Sequence, residues 1–416
     1  MRFTRGLRPP KVYNRHGRSE RWHPATTNIE TPLPMALRSE FYIKKQGNNM
    51  TLFETTRINS MTLKNRFVRS ATWEGMAETN GSVTPQLIKT MADLAEGGVG
   101  LIITGHANVM PQGQAGPWQL GIYSDDHMGG LTTMTDTVHR AGGKIVVQLA
   151  HAGNFAAENL TQMPPCVPSI IEGLGKTPRH ELTKQDINDI VQAFAEGALR
   201  AKQSGFDGVQ IHSAHGYLFS QFLSPAFNRR SDRYGGSIEN RSRIHMETLE
   251  AIREKVGREF PVLIKINCED FQDNGLTLED TVWVCKKLAE NGMDAIELSG
   301  GVLTGKKLSP SRVNINSPDR EAYFKEQASA VKGSINIPLI LVGGIRSIEV
   351  AKALVDEKRA DYLSMSRPLI REPGLVKRWK SGDTRPATCL SDNLCFRPAM
   401  AGKGVYCVVD EREKKM

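Results

Sequence analysis

The chain has 416 residues, 39% hydrophobic and 6% aromatic, and no apolar run approaches the roughly 18 residues that a membrane span requires. Its formal net charge of +9 sits mostly in residues 1–50, where Arg2, Arg5, Arg8, Lys11, Arg15, Arg18, Arg21, Arg38, Lys44 and Lys45 outnumber Glu20, Glu30 and Glu40. The remainder is near neutral, without the basic face or stacking aromatics of a nucleic-acid binder, and six cysteines in so long a chain fit a reducing, cytoplasmic compartment.

Residues 1–50 also hold Pro9, Pro10, Pro24, Pro32 and Pro34 with no sustained period, so they are expected to form a disordered basic extension. The stretch lacks the apolar core of a secretory signal. Its Arg-rich, acid-poor character is compatible with organelle import, and Met50 with an alternative start.

From Arg66 onward short β-branched runs alternate with segments of helical period, the pattern of βα units around a parallel sheet. The predicted strands are 67–71, 100–104, 144–149, 208–212, 262–267, 295–299, 339–342 and 362–365. Among the predicted helices, one begins at Thr183, whose spacing to Asp186 is that of a capping box ahead of Ile187, Ile190, Val191 and Phe194. Others span 237–256, 277–291 and 347–357. Eight strands predict a (β/α)8 TIM barrel over residues 51–380; a doubly wound sheet shares the alternation and is the competing architecture.

Catalytic groups of such barrels gather at the C-terminal ends of the strands. The period of two puts Gln148 beside Val146, His212 beside Gln210 and Lys265 beside Leu263, each closing its strand. Singly, each could be a satisfied core residue. Together they place an amide, an imidazole and an ammonium at one mouth. His212, His215 and Tyr217 then follow within six residues, a pair of donors and a phenol suited to polarising a carbonyl and delivering a proton. The His-x-x-His spacing is also that of a metal half-site, but no companion ligand stands at a suitable strand end, so no metal is expected. After the last two strands, Gly343, Gly344, Ser366 and Arg367 have the character of a phosphate site.

At these residues the sequence resembles the Old Yellow Enzyme family, through Thr51 to about Trp379. The stretches 63–72 and 147–153 look like that family's first and third strands, and the run from His212 to Pro225, continued through 228–241, is the most specific part. The resemblance implies FMN as cofactor and NADH or NADPH as hydride donor. It implies that Ser70, Ala71, Thr72, Gly105 and Gln148 line the flavin ring, with Lys265 at its N1/O2 edge. Gly343, Gly344, Ser366 and Arg367 would hold the phosphate, His212 and His215 would grip the substrate, and Tyr217 would protonate it. Lys265 stands where an arginine is common, keeping charge but losing the bidentate fork.

The implied activity is reduction of an activated alkene, a small-molecule substrate, with homo-oligomerisation left open. An NADH oxidase or amine dehydrogenase on the same barrel is the alternative, and a Schiff-base aldolase using Lys265 a more distant one. Residues 381–416 resemble the iron–sulfur members related to trimethylamine dehydrogenase and dienoyl-CoA reductase. They have Asp392 where that motif has a cysteine among Cys389, Cys395 and Cys407, so a structural relic without a cluster is expected.

Overall fold

A computed structural model describes residues 51–173 and 177–415. The expected extension over 1–50 lies outside the described residues.

The chain enters through a hairpin, β1 (Thr56–Ile58) and β2 (Met61–Leu63), paired antiparallel. Eight parallel strands then close into a barrel: β3 (Phe67–Arg69), β4 (Leu101–Asn108), β5 (Ile145–Ala150), β8 (Gly208–Ser213), β9 (Val262–Asn267), β10 (Ala295–Ser299), β11 (Leu339–Val342) and β12 (Tyr362–Met365). The two-residue strands β6 (Cys166–Val167) and β7 (His180–Glu181) pair outside it. All eight expected barrel strands are present, and the doubly wound alternative falls because β12 pairs with β3 and closes the sheet.

Alternation along each strand sorts the barrel interior into layers. At the N-terminal end Val68, Leu101, Ile103, Val146, Leu263, Ala295, Ile340 and Tyr362 form an apolar cluster, closed by Ile58, Met61 and Leu63 of the hairpin. Two residues further along the same strands the inward side chains turn polar: Ser70, Gln148, Gln210, Lys265, Glu297 and Ser364 are all buried.

The N-terminal rim repeats one device three times. Asp207, just before β8, accepts the backbone N–H of Ile145 at 2.8 Å; Asp294, before β10, accepts that of Val262 at 2.7 Å; Asp361, before β12, accepts that of Leu339 at 2.7 Å. Each carboxylate also meets a cation, from Lys144, Arg253 or Lys332 at 2.6–2.7 Å. Otherwise unpaired strand-end donors are thereby satisfied.

Outside, Thr183 and Asp186 do form a reciprocal capping box for the helix Lys184–Gln203. The helix expected over 237–256 divides into Ile238–Arg241 and Arg243–Val256. Ser242 lies between them, its hydroxyl bonded to the carbonyl of Glu239 in competition with the helical ladder. Among the described residues no helix is long and apolar enough to cross a membrane.

Candidate active site

The C-terminal mouth opens on a cavity of about 490 Å³. Of the expected site residues, Ser70, Ala71 and Thr72 line it beside β3, Gln148 and Lys265 form part of its lower wall, and His212, His215 and Tyr217 stand on one flank. Gly344, Ser366 and Arg367 line the side near β11 and β12.

Gly105 and Gly343 are not among the residues that line it. Gly343 follows β11 with the opposite parity to Val342 and Gly344, so it faces the aromatic rings of Phe324 and Tyr323. Gly105 is displaced by a bulge. Register runs Ile103↔Val146 and then His106↔Gln148, so β4 carries one residue more than β5 over this stretch. Regular alternation from Leu101 and Ile103 would aim Gly105 inward; the extra residue gives that place to His106. Gly105 instead donates its N–H to Glu74 at 3.0 Å, and a Cβ there would lie 2.2 Å from the same carboxylate.

Beyond β8, His215 (φ +64°) and Gly216 (φ +84°) both occupy the left-handed region and reverse the chain. For a histidine this costs on the order of 1 kcal/mol, offset by two anchors. Its N–H bonds Asn267 Oδ1 at 3.0 Å, and its Nε2 lies 2.8 Å from Ser299 Oγ. The reversal packs the His212 ring 5.4 Å from that of His215 and 4.6 Å from that of Tyr217.

Burial presses the His212 pKa well below the usual imidazole value, reinforced by neighbouring His215, His106 and Lys265; His215 is lowered chiefly by burial too. Both rings are therefore neutral donors near pH 7. Burial also raises the Tyr217 phenol, keeping its proton in place.

Glu297 sits beneath these groups and organises them. Its Oε1 accepts from Ser70 (2.7 Å), Ser364 (2.8 Å) and Lys265 (3.2 Å), and its Oε2 accepts from Gln210, whose own amide oxygen accepts from Gln148. Burial alone would raise this carboxyl, but Lys265 and the three neutral donors outweigh it and hold it ionised. Lys265 is pressed downward by burial against the opposing pull of Glu297, and also donates to Ser70 at 2.6 Å.

At the opposite end Arg367 bonds the neutral amide of Asn393 at 2.8 Å, and Arg346 bonds the carbonyls of Ile315 and Ala387. Neither charge is cancelled by those partners. Gly344 adopts φ +78°, and a Cβ there would sit 2.8 Å from the Tyr323 ring. This positively charged corner suits a phosphate. The residues fit FMN on a further ground: one cavity brings Ser70, Ala71, Thr72, Gln148 and Lys265 together with Gly344, Ser366 and Arg367, a polar floor joined to a cationic corner.

The sequence reading also missed the part played by residues 381–416. Ser391, Asn393, Phe396 and Met400 form one wall of the cavity, and Asn393 ties Arg367 to the carbonyl of Ser311. Cys389, Asp392, Cys395 and Cys407 line a separate small recess with Arg367 and Arg371.

A closed parallel barrel with a positively charged corner and a polar mouth defines the class of α/β barrels whose ligands bind at the C-terminal ends of the strands. Residues 51–385 match the profile of the NADH:flavin oxidoreductase / NADH oxidase family, and the chain belongs to that family, the Old Yellow Enzyme group. It is 37% identical over 350 residues to an NADH oxidase of Thermoanaerobacter brockii, covering 82% of this chain and 53% of that protein. It is 34% identical over 330 residues to an NADPH dehydrogenase of Clostridium acetobutylicum, covering 79% of this chain and 94% of the relative. An Old Yellow Enzyme homologue from Zymomonas mobilis superposes with a TM-score of 0.69 at 26% identity, covering 81% of this chain and 94% of the other. The chain thus spans about half the length of the NADH oxidase and nearly all of the NADPH dehydrogenase. The family's cofactor is FMN.

Proposed function

We propose that this chain is an FMN-dependent NAD(P)H oxidoreductase that reduces alkenes activated by a carbonyl or similar group. The observation that carries this reading is the grouping of His212, His215 and Tyr217 on one flank of the cavity at the barrel mouth. Bound FMN supplies the hydride transfer between nicotinamide and acceptor. Its phosphate would be held by Gly344, Ser366 and Arg367, and its ring would lie against Ser70, Ala71, Thr72, Gln148 and Lys265.

His212 and His215, both neutral, donate to the substrate oxygen as it gains negative charge. They do so in a buried site, where such donors act most strongly. Tyr217 delivers a proton to the alkene carbon next to the carbonyl carbon, which completes saturation of the double bond. Lys265, held charged by ionised Glu297, places a positive end at the floor of the site. A Schiff-base role for Lys265 is disfavoured, since its ammonium is committed to Ser70 and Glu297.

The NADH oxidase relative favours a second reading in which oxygen is the acceptor. Carbon protonation then has no part, and Tyr217 is dispensable. Anaerobic stopped-flow mixing separates the two. The protein is bleached with NADH or NADPH and then met with 2-cyclohexenone or with oxygen. Rapid reoxidation by the enone supports alkene reduction; reoxidation by oxygen alone would replace it with the oxidase reading.

A further inference from the structure

We infer that His106 resupplies protons to Tyr217, so that the phenol passes a proton on from solvent instead of ending the chain of transfer. This rests on the reading of Tyr217 as the donor to the substrate carbon.

The geometry is direct. His106 Nε2 lies 3.4 Å from the Tyr217 hydroxyl, the only hydrogen-bond partner of that hydroxyl among the described residues, with the rings edge-on at 5.2 Å. Both line the cavity, but Tyr217 is buried, at 8% exposure, and His106 is the more exposed of the two. The β4 bulge interrupts the ladder to put a histidine there in place of a glycine, and bulges commonly re-aim a side chain beside an active site.

The chemistry supplies the need. When Tyr217 protonates the substrate, its O–H bond breaks as the C–H bond forms, leaving a phenolate in a buried site that disfavours the charged form. Burial holds His106 down to about 4, so at neutral pH the ring carries one proton and one lone pair. With the proton on Nε2, its N–H bond breaks as the phenol O–H re-forms, while Nδ1 takes a proton from hydronium or a buffer acid. The ring ends as the other neutral tautomer. One proton has moved from solvent to Tyr217 without a buried imidazolium.

The test uses the full-length, FMN-loaded protein with His106→Gln, His106→Ala, Tyr217→Phe and the His106→Gln/Tyr217→Phe double variant. Bleaching by NAD(P)H and reoxidation by oxygen are followed by stopped flow, and sustained turnover with NAD(P)H and 2-cyclohexenone, in which Tyr217 must be reprotonated every cycle, is measured alongside. The expected result is a loss of about tenfold or more confined to sustained enone turnover in both His106 variants. Exogenous imidazole restores part of the rate in His106→Ala, and the double variant is no slower than Tyr217→Phe alone, as for two groups on one path.

Wild-type sustained enone turnover in His106→Gln would overturn the relay while leaving alkene reduction standing. So would losses that add in the double variant, or an FMN-loaded His106→Ala that imidazole fails to rescue. Wild-type protein that reoxidises with oxygen but with no enone would instead remove the alkene-reductase reading, and the relay with it.

Discussion

At the N-terminal rim of the barrel Asp207, Asp294 and Asp361 each meet a backbone N–H and a cation, so every one of these charges is answered locally. At the C-terminal mouth His212 keeps a buried nitrogen without a partner, and Arg367 bonds only a neutral amide. The two ends draw on similar residue types and differ in completeness. A satisfied charge fixes a strand, whereas Arg367, with no carboxylate partner among the described residues, can meet an anion. The boundary between them is the Glu297 layer, which is fully satisfied yet lies directly under the incomplete groups.

That boundary is where the largest effect is expected. Glu297→Ala leaves Lys265 buried without its counter-ion and removes the acceptor for Ser70, Ser364 and Gln210. Loss of one partner of a buried pair costs about 3–5 kcal/mol, to be read from denaturant unfolding. A change below about 1 kcal/mol would show that the layer does not bridge the two ends.

The C-terminal half should also be the acid-sensitive one. Burial holds His151, just after β5, at about 4, and His245, bonded to Ser213 at the end of β8, at about 3. Both lie below the unfolded value of about 6.5, so the unfolded chain binds the extra protons. Their contribution is complete above pH 6.5 and is lost as pH falls toward 4, by roughly 2 kcal/mol each between pH 6.5 and 5. Unfolding midpoints measured across that window should fall steeply, and a flat profile would contradict the assignment.

Tyr217→Phe sharpens the contrast in function. Reoxidation by 2-cyclohexenone should slow by roughly 10²-fold or more, the scale of a positioned acid, while bleaching by NAD(P)H changes far less. Equal loss in both halves would mean that the phenol shapes the pocket and donates nothing.

The smallest effect belongs to the N-terminal rim. Asp294→Ala exposes the unmet needs of Val262 N–H and Arg253 and should cost about 1–3 kcal/mol. The enone rate per folded, flavin-loaded molecule should stay at the wild-type level. A fall in that rate would tie the two ends together more closely than their layers suggest.

Much of this division was legible in the sequence because it follows from a period of two. Gln148, His212 and Lys265 fall at the mouth by counting from Val146, Gln210 and Leu263, and the strand count favoured a barrel over the doubly wound sheet that only closure of β12 on β3 excludes. The failures have physical causes. Gly105 was expected at the flavin ring from resemblance, whereas a bulge gives His106 the inward place, and the lone glycine inside β4 was the one signal of it. Glu297 lies within a strand whose partners come from four other strands, so only closure of the barrel shows its role. Asn393 looked like part of a relic because its partners, Arg367 and Ser311, are distant in sequence.

The β4 bulge carries a consequence beyond this site. Gln148 faces residue 106 where an unbroken ladder would offer it residue 105. A gain or loss of one codon upstream of that pairing changes which side chain reaches the mouth while every neighbouring strand stays where it is. Chain length inside a strand is thus a heritable variable separate from residue identity. Libraries that vary only the amino acids around this cavity leave that dimension unsampled.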